Sequence, residues 1–342
     1  MKRDFFLTRH SIKPKGNDVE DKKYKGISKK GVALARKSSK DILKYIEKGP
    51  DNEVIFLGGV SDEIRTKSTA DVYGQELKRM LKNDPNYVVI TSEDVRWQTY
   101  DKVAGQLKEF IDRNPDKKII IDVPFFMNEF SLKSKGWLDK EGKPTPYLSK
   151  LLEIGGGDEE KALKYWMDNQ GKIEGLVGPT PLQVAKGYEQ GVNMLQEYAK
   201  SQFGDRPYVV GIVGHSFEAD TFLTYVAGSG QIDSNIYSQL SVGKGIIKET
   251  ELASVNVKPD VTTVSYRGED TKAQTLETLV KLIFISSFLF SLLFSTNITG
   301  NAVGVTKSSI IGLIFVAIGI ISAILLITKR KKQRVNYFIL NK

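Results

Sequence analysis

Hydrophobic positions in the first 275 residues alternate between short strand-like runs and longer helix-like periods. Five short apolar runs, mostly β-branched or aromatic, predict strands at 5–8, 54–57, 87–91, 118–123 and 208–213, and two later runs predict strands at 254–257 and 261–266. The segments between them repeat apolar residues at helical spacing. Alternating strands and helices are typical of an α/β sheet, so the pattern predicts that class of fold.

Three predicted helices have recognisable first residues. Ser28 precedes a segment with its apolar positions on one face, and Thr180 followed by Pro181 is typical of an N-cap and a first-turn proline. A third helix follows the strand at 54–57, and Ser61 or Asp62 is its predicted cap. Each helix therefore begins close to the end of a predicted strand or loop.

Residues 125–178 interrupt this alternation. They contain three consecutive glycines, two prolines and several aromatic residues, which indicates an insertion between core elements. Long insertions often select the substrate of an enzyme, but they also occur as structural additions without a role in binding. The sequence leaves both interpretations open.

Two uncharged segments stand out near the C-terminus. The segments 279–296 and 308–328 have the length and apolarity of bilayer spans, although a buried core helix remains the alternative for each. A basic cluster at 329–334 follows the second segment and predicts that the tail 329–342 is cytoplasmic. No signal peptide is recognisable at the N-terminus. We therefore predict a domain at 1–275 and a transmembrane hairpin at 276–328, with the domain also on the cytoplasmic side.

The charge distribution argues against a nucleic-acid partner. The net charge is +9, but eight of the 50 basic residues and one of the 41 acidic residues lie after residue 275, so the preceding residues carry only +2. A nucleic-acid binder usually presents a concentrated basic surface. The absence of cysteine also excludes disulfides, thiolate zinc sites and a cysteine nucleophile.

Both histidines of the chain follow predicted strands. His10 comes after the first strand, next to Arg9, and His215 comes after the strand at 208–213. Ligands of open α/β sheets bind at the carboxyl ends of the strands. Arg65 lies in the first turns of a predicted helix, where a cation opposes the helix dipole unless an anion compensates for it. These residues predict an anion-binding site at the sheet edge.

The order of these motifs resembles that of the histidine phosphatase superfamily, which includes the cofactor-dependent phosphoglycerate mutases. The matching segments are Arg9-His10-Ser11, 27–31, 61–70, Thr180-Pro181 and Gly214-His215. They correspond to the family's Arg-His-Gly, its Leu-Thr-x-x-Gly helix start, its Ser-(Asp/Ser)-x-x-Arg-(Ala/Thr)-x-x-Thr-Ala signature, its Ser-Pro helix start and its Gly-His. The likeness covers about residues 4–225, and it implies a three-layer αβα sandwich with a mostly parallel sheet.

The resemblance also implies the roles of the site residues. His10 is the expected nucleophile, because a neutral imidazole can attack phosphorus and form a covalent phosphohistidine. Arg9, Arg65 and a protonated His215 are expected to bind the phosphoryl group, since guanidinium groups match the geometry of its oxygens. No cofactor and no metal are implied.

The leaving group of a phosphomonoester needs a proton from a general acid. The resemblance places that acid after the third strand, where Glu93 and Asp94 lie, and Glu218 is the rival three residues after His215. We favour Glu93, because the helix dipole already stabilises the anion of a residue in the position of Glu218.

The predicted function is therefore a membrane-tethered phosphomonoester hydrolase acting on a phosphorylated small molecule or phosphoprotein. One alternative is a catalytically silent module that binds a phosphate ligand; it is favoured by Ser11 in place of glycine and by the poor match of the general acid. Ser216 and Phe217 after His215 also depart from the family pattern. A phosphomutase is another alternative. A P-loop nucleotide enzyme is excluded, because the sequence lacks Gly-x-x-x-x-Gly-Lys-(Ser/Thr).

Overall fold

A computed structural model of the 342-residue chain describes residues 5–94, 107–122, 127–257 and 261–274. The strands in these ranges are β1 Phe5–Arg9, β2 Val54–Gly59, β3 Tyr87–Ile90, β4 Lys118–Asp122, β5 Tyr208–Gly214, β6 Leu252–Val257, β7 Val261–Tyr266 and β8 Glu269–Gln274. The helices are α1 Lys29–Glu47, α2 Ile64–Met80, α3 107–112, α4 Pro146–Ile154, α5 Glu159–Asp168, α6 Pro181–Phe203, α7 Ser216–Ala227 and α8 Ser234–Ser241. A single 3₁₀ turn in the described ranges spans Asn128–Phe130.

The strands form one mixed sheet in the order β3-β4-β2-β5-β1-β6-β7-β8. Neighbours from β3 to β1 pair in parallel, whereas β6 pairs antiparallel with β1 and with β7. The predicted α/β class is thus confirmed, but the sheet is parallel only in its first five strands. Strand β8 was not predicted. It follows a two-residue turn, Arg267-Gly268, in which both residues have positive φ, as the twist of a tight hairpin requires.

Apolar side chains from alternate strand positions build a core on each face of the sheet. Phe5 and Leu7 of β1 pack with residues of α3, α6 and α7, whereas Phe6 packs with residues of α1 and α2. Full burial of side chains of this size contributes about 1.5–3 kcal/mol each. The helices therefore cover both faces and leave the carboxyl ends of β1, β2 and β5 as the edge where a site can form.

Two of the three predicted helix starts are confirmed. The Ser28 side chain accepts a hydrogen bond from the Gly31 amide, and Thr180 forms a reciprocal capping box with Gln183. The third prediction is wrong, because α2 begins after Glu63 and has no side-chain cap. Ser61 and Asp62 instead form tertiary contacts.

The insertion predicted at 125–178 contains α4 and α5 and has a core of its own. Trp137 and Trp166 lie with their ring centroids 5.2 Å apart, and the Trp166 indole donates to the Tyr147 hydroxyl at 2.9 Å. Asp62 joins this part to the main sheet, because its two carboxylate oxygens accept from the Ser131 hydroxyl at 2.9 Å and the Leu132 amide at 3.1 Å. The insertion is thus anchored beside the start of α2.

The predicted spans at 279–296 and 308–328 and the tail at 329–342 lie outside the described residues. Within the described ranges, none of the helices has the length and apolarity needed to cross a bilayer.

Candidate functional site

The two histidines meet at the carboxyl ends of β1 and β5. These strands pair in parallel with Arg9 opposite Gly214, and the His10 amide donates to the Gly214 carbonyl at 2.9 Å. The residues that follow are therefore neighbours, and the His10 and His215 ring centroids lie 5.1 Å apart, edge to face. Both side chains are buried.

Hydrogen bonding determines which nitrogen of His10 carries the proton and which keeps a lone pair. Nδ1 lies 2.7 Å from the Ser11 carbonyl oxygen, which can only accept, so Nδ1 carries the proton. Nε2 keeps its lone pair and accepts from the Arg65 Nε–H at 3.1 Å. Burial lowers the pKa of His10 well below its usual value, and the Arg65 and Arg9 guanidinium groups and the Lys13 ammonium lower it further, although the Ser11 carbonyl opposes them. The ring is therefore neutral.

Arg65 reaches His10 because α2 packs tightly against the end of β2. A Cβ on Gly59 would lie 2.4 Å from the backbone of Thr66 and Lys67, so only glycine allows this approach. Burial lowers the pKa of Arg65, and Glu63 partly offsets this through an ion pair of 2.8 Å. Arg65 therefore lies over the sheet edge, beside His10, as its place in the sequence predicts.

Arg9 immediately precedes His10 and is held by residues far along the chain. Its Nη1 donates to the Ile247 carbonyl at 3.1 Å, and its Nη2 is 3.4 Å from Glu159 and 3.5 Å from Glu249. The side chain is 11% exposed. Arg9 borders a cavity of about 460 Å³ that is lined mainly by residues of 157–160 and 244–249. Its guanidinium is thus surrounded by charged residues of the insertion and of the loop before β6.

His215 is held by the loop before α2. Its Nε2 lies 2.8 Å from the Ser61 hydroxyl, which in turn donates to Asp62 at 3.1 Å. Burial lowers the pKa of His215 well below its usual value, and the neighbouring His10 and the cations Arg65, Lys135 and Arg9 lower it further. The protonated His215 expected from the resemblance therefore requires a bound anion to offset this field.

The site contains one cation that we did not predict. Lys13 is exposed, but its pKa is lowered by partial removal from water and by Arg65 and Arg9, while Glu159 and Glu63 raise it. Its ammonium group also contributes to the lowered pKa of His10. The signal was present in the sequence, since Lys13 follows His10 by three residues. The loop after β1 thus adds a third positive charge near His10.

The favoured general acid lies at the surface. Glu93 pairs with Lys23 at 2.6 Å and its side chain is 54% exposed, so its partner among the described residues is outside the histidine cluster. Asp94 accepts from Lys78 and from the amide and hydroxyl of Thr91. Burial alone would raise the pKa of Asp94, but these hydrogen bonds lower it, so the carboxyl group is held as an anion.

Glu218 occupies a different environment. It is buried in the first turn of α7, and its Oε1 lies 2.7 Å from Lys135 Nζ. Burial raises the pKa of Glu218, although Lys135 opposes the shift. The charge of Lys135, a residue of the insertion, also lowers the pKa of His215. Glu218 is therefore a buried carboxyl group within electrostatic reach of the histidine cluster.

The Ser11 and Phe217 side chains, two of the residues that depart from the family pattern, have their contacts away from the histidines. The Ser11 hydroxyl donates to the Gly31 carbonyl at 2.7 Å, and the Ser11 amide donates to Thr69 at 3.0 Å. The Phe217 ring packs against Trp137 and Trp166 in the core of the insertion. Neither side chain is directed at His10 Nε2.

No protein-family model and no curated protein sequence match the chain. Solved structures with a similar fold include mycobacterial glucosyl-3-phosphoglycerate phosphatase, at 12% identity over 80% of this chain and 96% of that chain, with a TM-score of 0.41. Mycobacterial hydrolase 2 is 13% identical over 80% of this chain and 88% of its own, with a TM-score of 0.39. Mycobacterial hydrolase 1 is 12% identical over 80% of this chain and 97% of its own, also with a TM-score of 0.39. At these values, the function of the chain has to be inferred from its own site.

Proposed function

We propose that the chain is a phosphomonoester hydrolase that works through a phosphohistidine on His10. The observation that carries this proposal is the tautomer of His10: Nδ1–H donates to the Ser11 carbonyl at 2.7 Å, which leaves the Nε2 lone pair beside the Arg65 guanidinium. A neutral nucleophile next to fixed cations is what attack on an anionic phosphate ester requires.

The reaction proceeds in two displacements. His10 Nε2 attacks phosphorus while the bond from phosphorus to the leaving oxygen breaks, and a general acid protonates that oxygen. Water then attacks the phosphohistidine, His10 leaves with its lone pair, and the acid regains its proton. Arg65 and Arg9 stabilise the equatorial oxygens in both steps, because these carry the negative charge of the transition state.

Binding of the phosphate dianion changes the protonation of His215. Burial, His10 and the surrounding cations keep its pKa low in the free protein, and an anion placed between His10, His215 and Arg65 compensates for the field of these cations. His215 then donates a hydrogen bond to the transferring group. The Ser61 hydroxyl, 2.8 Å away, fixes the orientation of the ring.

A silent phosphate-binding module is the second candidate. The observation that favours it is the contact of Arg9 Nη2 with Glu159 and Glu249, because two carboxylates compete with phosphate for this guanidinium. The presence of Ser11 in place of glycine no longer favours this candidate, since the Ser11 hydroxyl donates to the Gly31 carbonyl. A phosphomutase would use the same histidines and differs only in the acceptor of the phosphoryl group.

We also propose that the segments 279–296 and 308–328 tether this domain to a membrane, with the domain on the cytoplasmic side. The support for this is the apolarity of both segments and the basic cluster at 329–334.

The proposed nucleophile is tested with His10→Gln and His215→Gln as a matched pair. With a chromogenic aryl phosphate, His10→Gln should reduce turnover to the background rate, and His215→Gln should reduce kcat by about 10²–10³. Quenching in alkaline detergent should trap a base-stable, acid-labile phosphoenzyme in the wild type and in His215→Gln, but not in His10→Gln. Unchanged circular dichroism spectra serve as the folding control. More than a few per cent of wild-type activity in His10→Gln would exclude the covalent mechanism, and phosphate binding without turnover in the wild type would support the silent module.

A further inference from the structure

The loop between α8 and β6 holds Arg9 in place. The Ile247 carbonyl accepts from Arg9 Nη1 at 3.1 Å, and the Thr250 amide donates to the Arg9 backbone carbonyl at 3.0 Å. Glu249 of the same loop lies 3.5 Å from Arg9 Nη2. The loop therefore contacts both the backbone and the guanidinium of Arg9, and its conformation determines where this cation lies relative to His10.

A buried carboxylate accepts a hydrogen bond from the backbone of that loop. Asp220 lies on α7, five residues after His215, and is fully buried. Its Oδ2 accepts from the Ile247 amide at 2.9 Å, and its Oδ1 has no hydrogen-bond partner among the described residues. The Ile247 amide thus donates to Asp220, and the Ile247 carbonyl accepts from Arg9. One residue connects the buried carboxylate to the cation of the site.

Other contacts hold the rest of the loop. Arg267 donates to the carbonyl oxygens of Ser241, Gly245 and Ile246 at 2.8–2.9 Å and pairs with Glu251 at 2.8 Å. These contacts hold the loop up to the Ile246 carbonyl and again at Glu251, whereas Asp220 is the side chain bonded to the Ile247 amide of the same peptide unit. Removal of Asp220 therefore leaves the Ile247 amide without its acceptor, while Arg267 keeps the neighbouring residues of the loop attached.

We propose that Asp220 is a positioning residue, which sets the Arg9 guanidinium at the phosphate site through Ile247. The inference rests on the proposed phosphomonoesterase function for its kinetic consequences, but the geometric link from Asp220 to Arg9 does not depend on turnover. Asp220 contacts neither substrate nor His10. It acts by keeping Arg9 ready for the phosphoryl oxygens, so that no reorganisation is needed during the reaction.

The charge of Asp220 also makes this link sensitive to pH. Burial raises the pKa of Asp220 to about 7, against the hydrogen bond from Ile247 and the charges of Arg267 and Arg9, while Glu251 adds to the rise. The hydroxyl groups of Tyr237 and Tyr266 also face Asp220, and their raised pKa values keep them neutral in this range. Above pH 7 the ionised carboxylate binds the Ile247 amide more strongly and attracts Arg9. Below pH 7 both effects weaken.

The test uses the full-length chain with Asp220→Asn, Asp220→Ala and, as a matched buried carboxyl elsewhere, Asp122→Asn. The Arg9 Nε–H signal is followed by NMR from pH 5.5 to 8.5 and is assigned by its loss in Arg9→Lys. In the wild type and in Asp122→Asn it should shift with a midpoint close to 7, and in Asp220→Asn this shift should be absent. Asp220→Ala should raise KM for an aryl phosphate roughly tenfold and lower kcat less, whereas Asp220→Asn, which keeps an acceptor for Ile247, should restore most of the loss.

Two results would contradict the positioning role of Asp220. An Arg9 signal that titrates identically in the wild type and in Asp220→Asn would overturn the proposal, as would an unchanged KM in Asp220→Ala. If Asp220→Ala fails to fold, Asp220→Asn carries the test. If the wild type has no phosphatase activity, the proposed function fails, but the titration of Arg9 still confirms or excludes the link from Asp220.

Discussion

The state of the nucleophile is decided by single residues around it. The Ser11 carbonyl holds the proton of His10 on Nδ1, and burial together with three cations keeps the ring neutral. With its pKa well below the usual value, His10 does not titrate in the neutral range. Any pH dependence of turnover near pH 7 therefore arises from the substrate, from His215, from the general acid or from Asp220 rather than from His10.

Glu93 and Glu218 are two candidates for the general acid, and their environments differ. A general acid must be protonated when the substrate binds, and this favours a carboxyl group whose pKa is raised. Burial raises the pKa of Glu218, whereas Glu93 is exposed and paired with Lys23. The environment of Glu218 thus fits the role better than the sequence indicated, although Glu93 remains a candidate.

We predict that Glu218→Gln reduces kcat about 10²-fold or more on an alkyl phosphate and much less on an activated aryl phosphate, because a good leaving group needs little protonation. Glu93→Gln and Asp94→Asn are the matched controls, and both should affect the two esters equally. Thermal melts show whether Lys135, left without its partner, destabilises the fold. A selective loss in Glu93→Gln instead would return the role to Glu93.

At the scale of elements, the end of β4 contains a buried carboxyl group beside a second one. Asp122 is buried, and its carboxyl group interacts with the Asp71 side chain, with which it can share a proton. Burial raises its pKa well above the usual value, and the Asp71 carboxylate of α2 raises it further. The folded state therefore keeps a proton that the unfolded state releases above about pH 4.

It follows that Asp122 reduces stability as the pH rises from about 4 through its raised folded-state pKa. We predict that Asp122→Asn increases the free energy of unfolding at pH 7 by about 1–2 kcal/mol and changes it less at pH 5. Urea denaturation at the two pH values measures both. Asp94→Asn is the opposite control: Lys78 and Thr91 lower the pKa of Asp94, so that its contribution is present at pH 7 and is lost on acidification. Equal destabilisation by both substitutions would contradict this assignment.

At the scale of the whole molecule, the insertion is connected to the site at two points. Lys135 pairs with Glu218 next to His215, and Glu159 of α5 contacts Arg9. The first contact joins the insertion to a candidate general acid, and the second joins it to a residue proposed to bind phosphate. The interpretation that the insertion takes part in substrate binding therefore gains support over that of a structural addition without such a role.

The membrane tether is tested on the whole chain. We predict that the full-length protein sediments with membranes and resists extraction at alkaline pH, because two apolar segments of bilayer length lie at 279–296 and 308–328. A variant with three Ile→Asp changes in 308–328 should be released, and three Val→Asp changes at exposed Val19, Val177 and Val257 should not affect sedimentation. In sealed right-side-out cells the domain should be protected from external protease. Its digestion would contradict the cytoplasmic placement.

The sequence by itself determined the elements and the place of the site. Short apolar runs of mostly β-branched or aromatic residues located the seven predicted strands within a few residues, and the two histidines after β1 and β5 located the edge where the candidate site lies. These features are local, because the period of apolar residues follows from the geometry of a strand or helix. Strand β8 was missed since its residues, Glu269-Asp270-Thr271-Lys272, lack an apolar run and Arg267-Gly268 is an unusual hairpin turn.

Only the tertiary structure decided which distant groups act on those histidines. The pairs Lys135 with Glu218 and Glu159 with Arg9, and the path from Asp220 through Ile247 to Arg9, join residues that are 83, 150 and more than 200 positions apart in the chain. No local pattern encodes such contacts, because they depend on how the sheet, α7 and the insertion pack. The same packing removes water from His10, His215 and Asp220, and this desolvation is the first cause of their shifted pKa values.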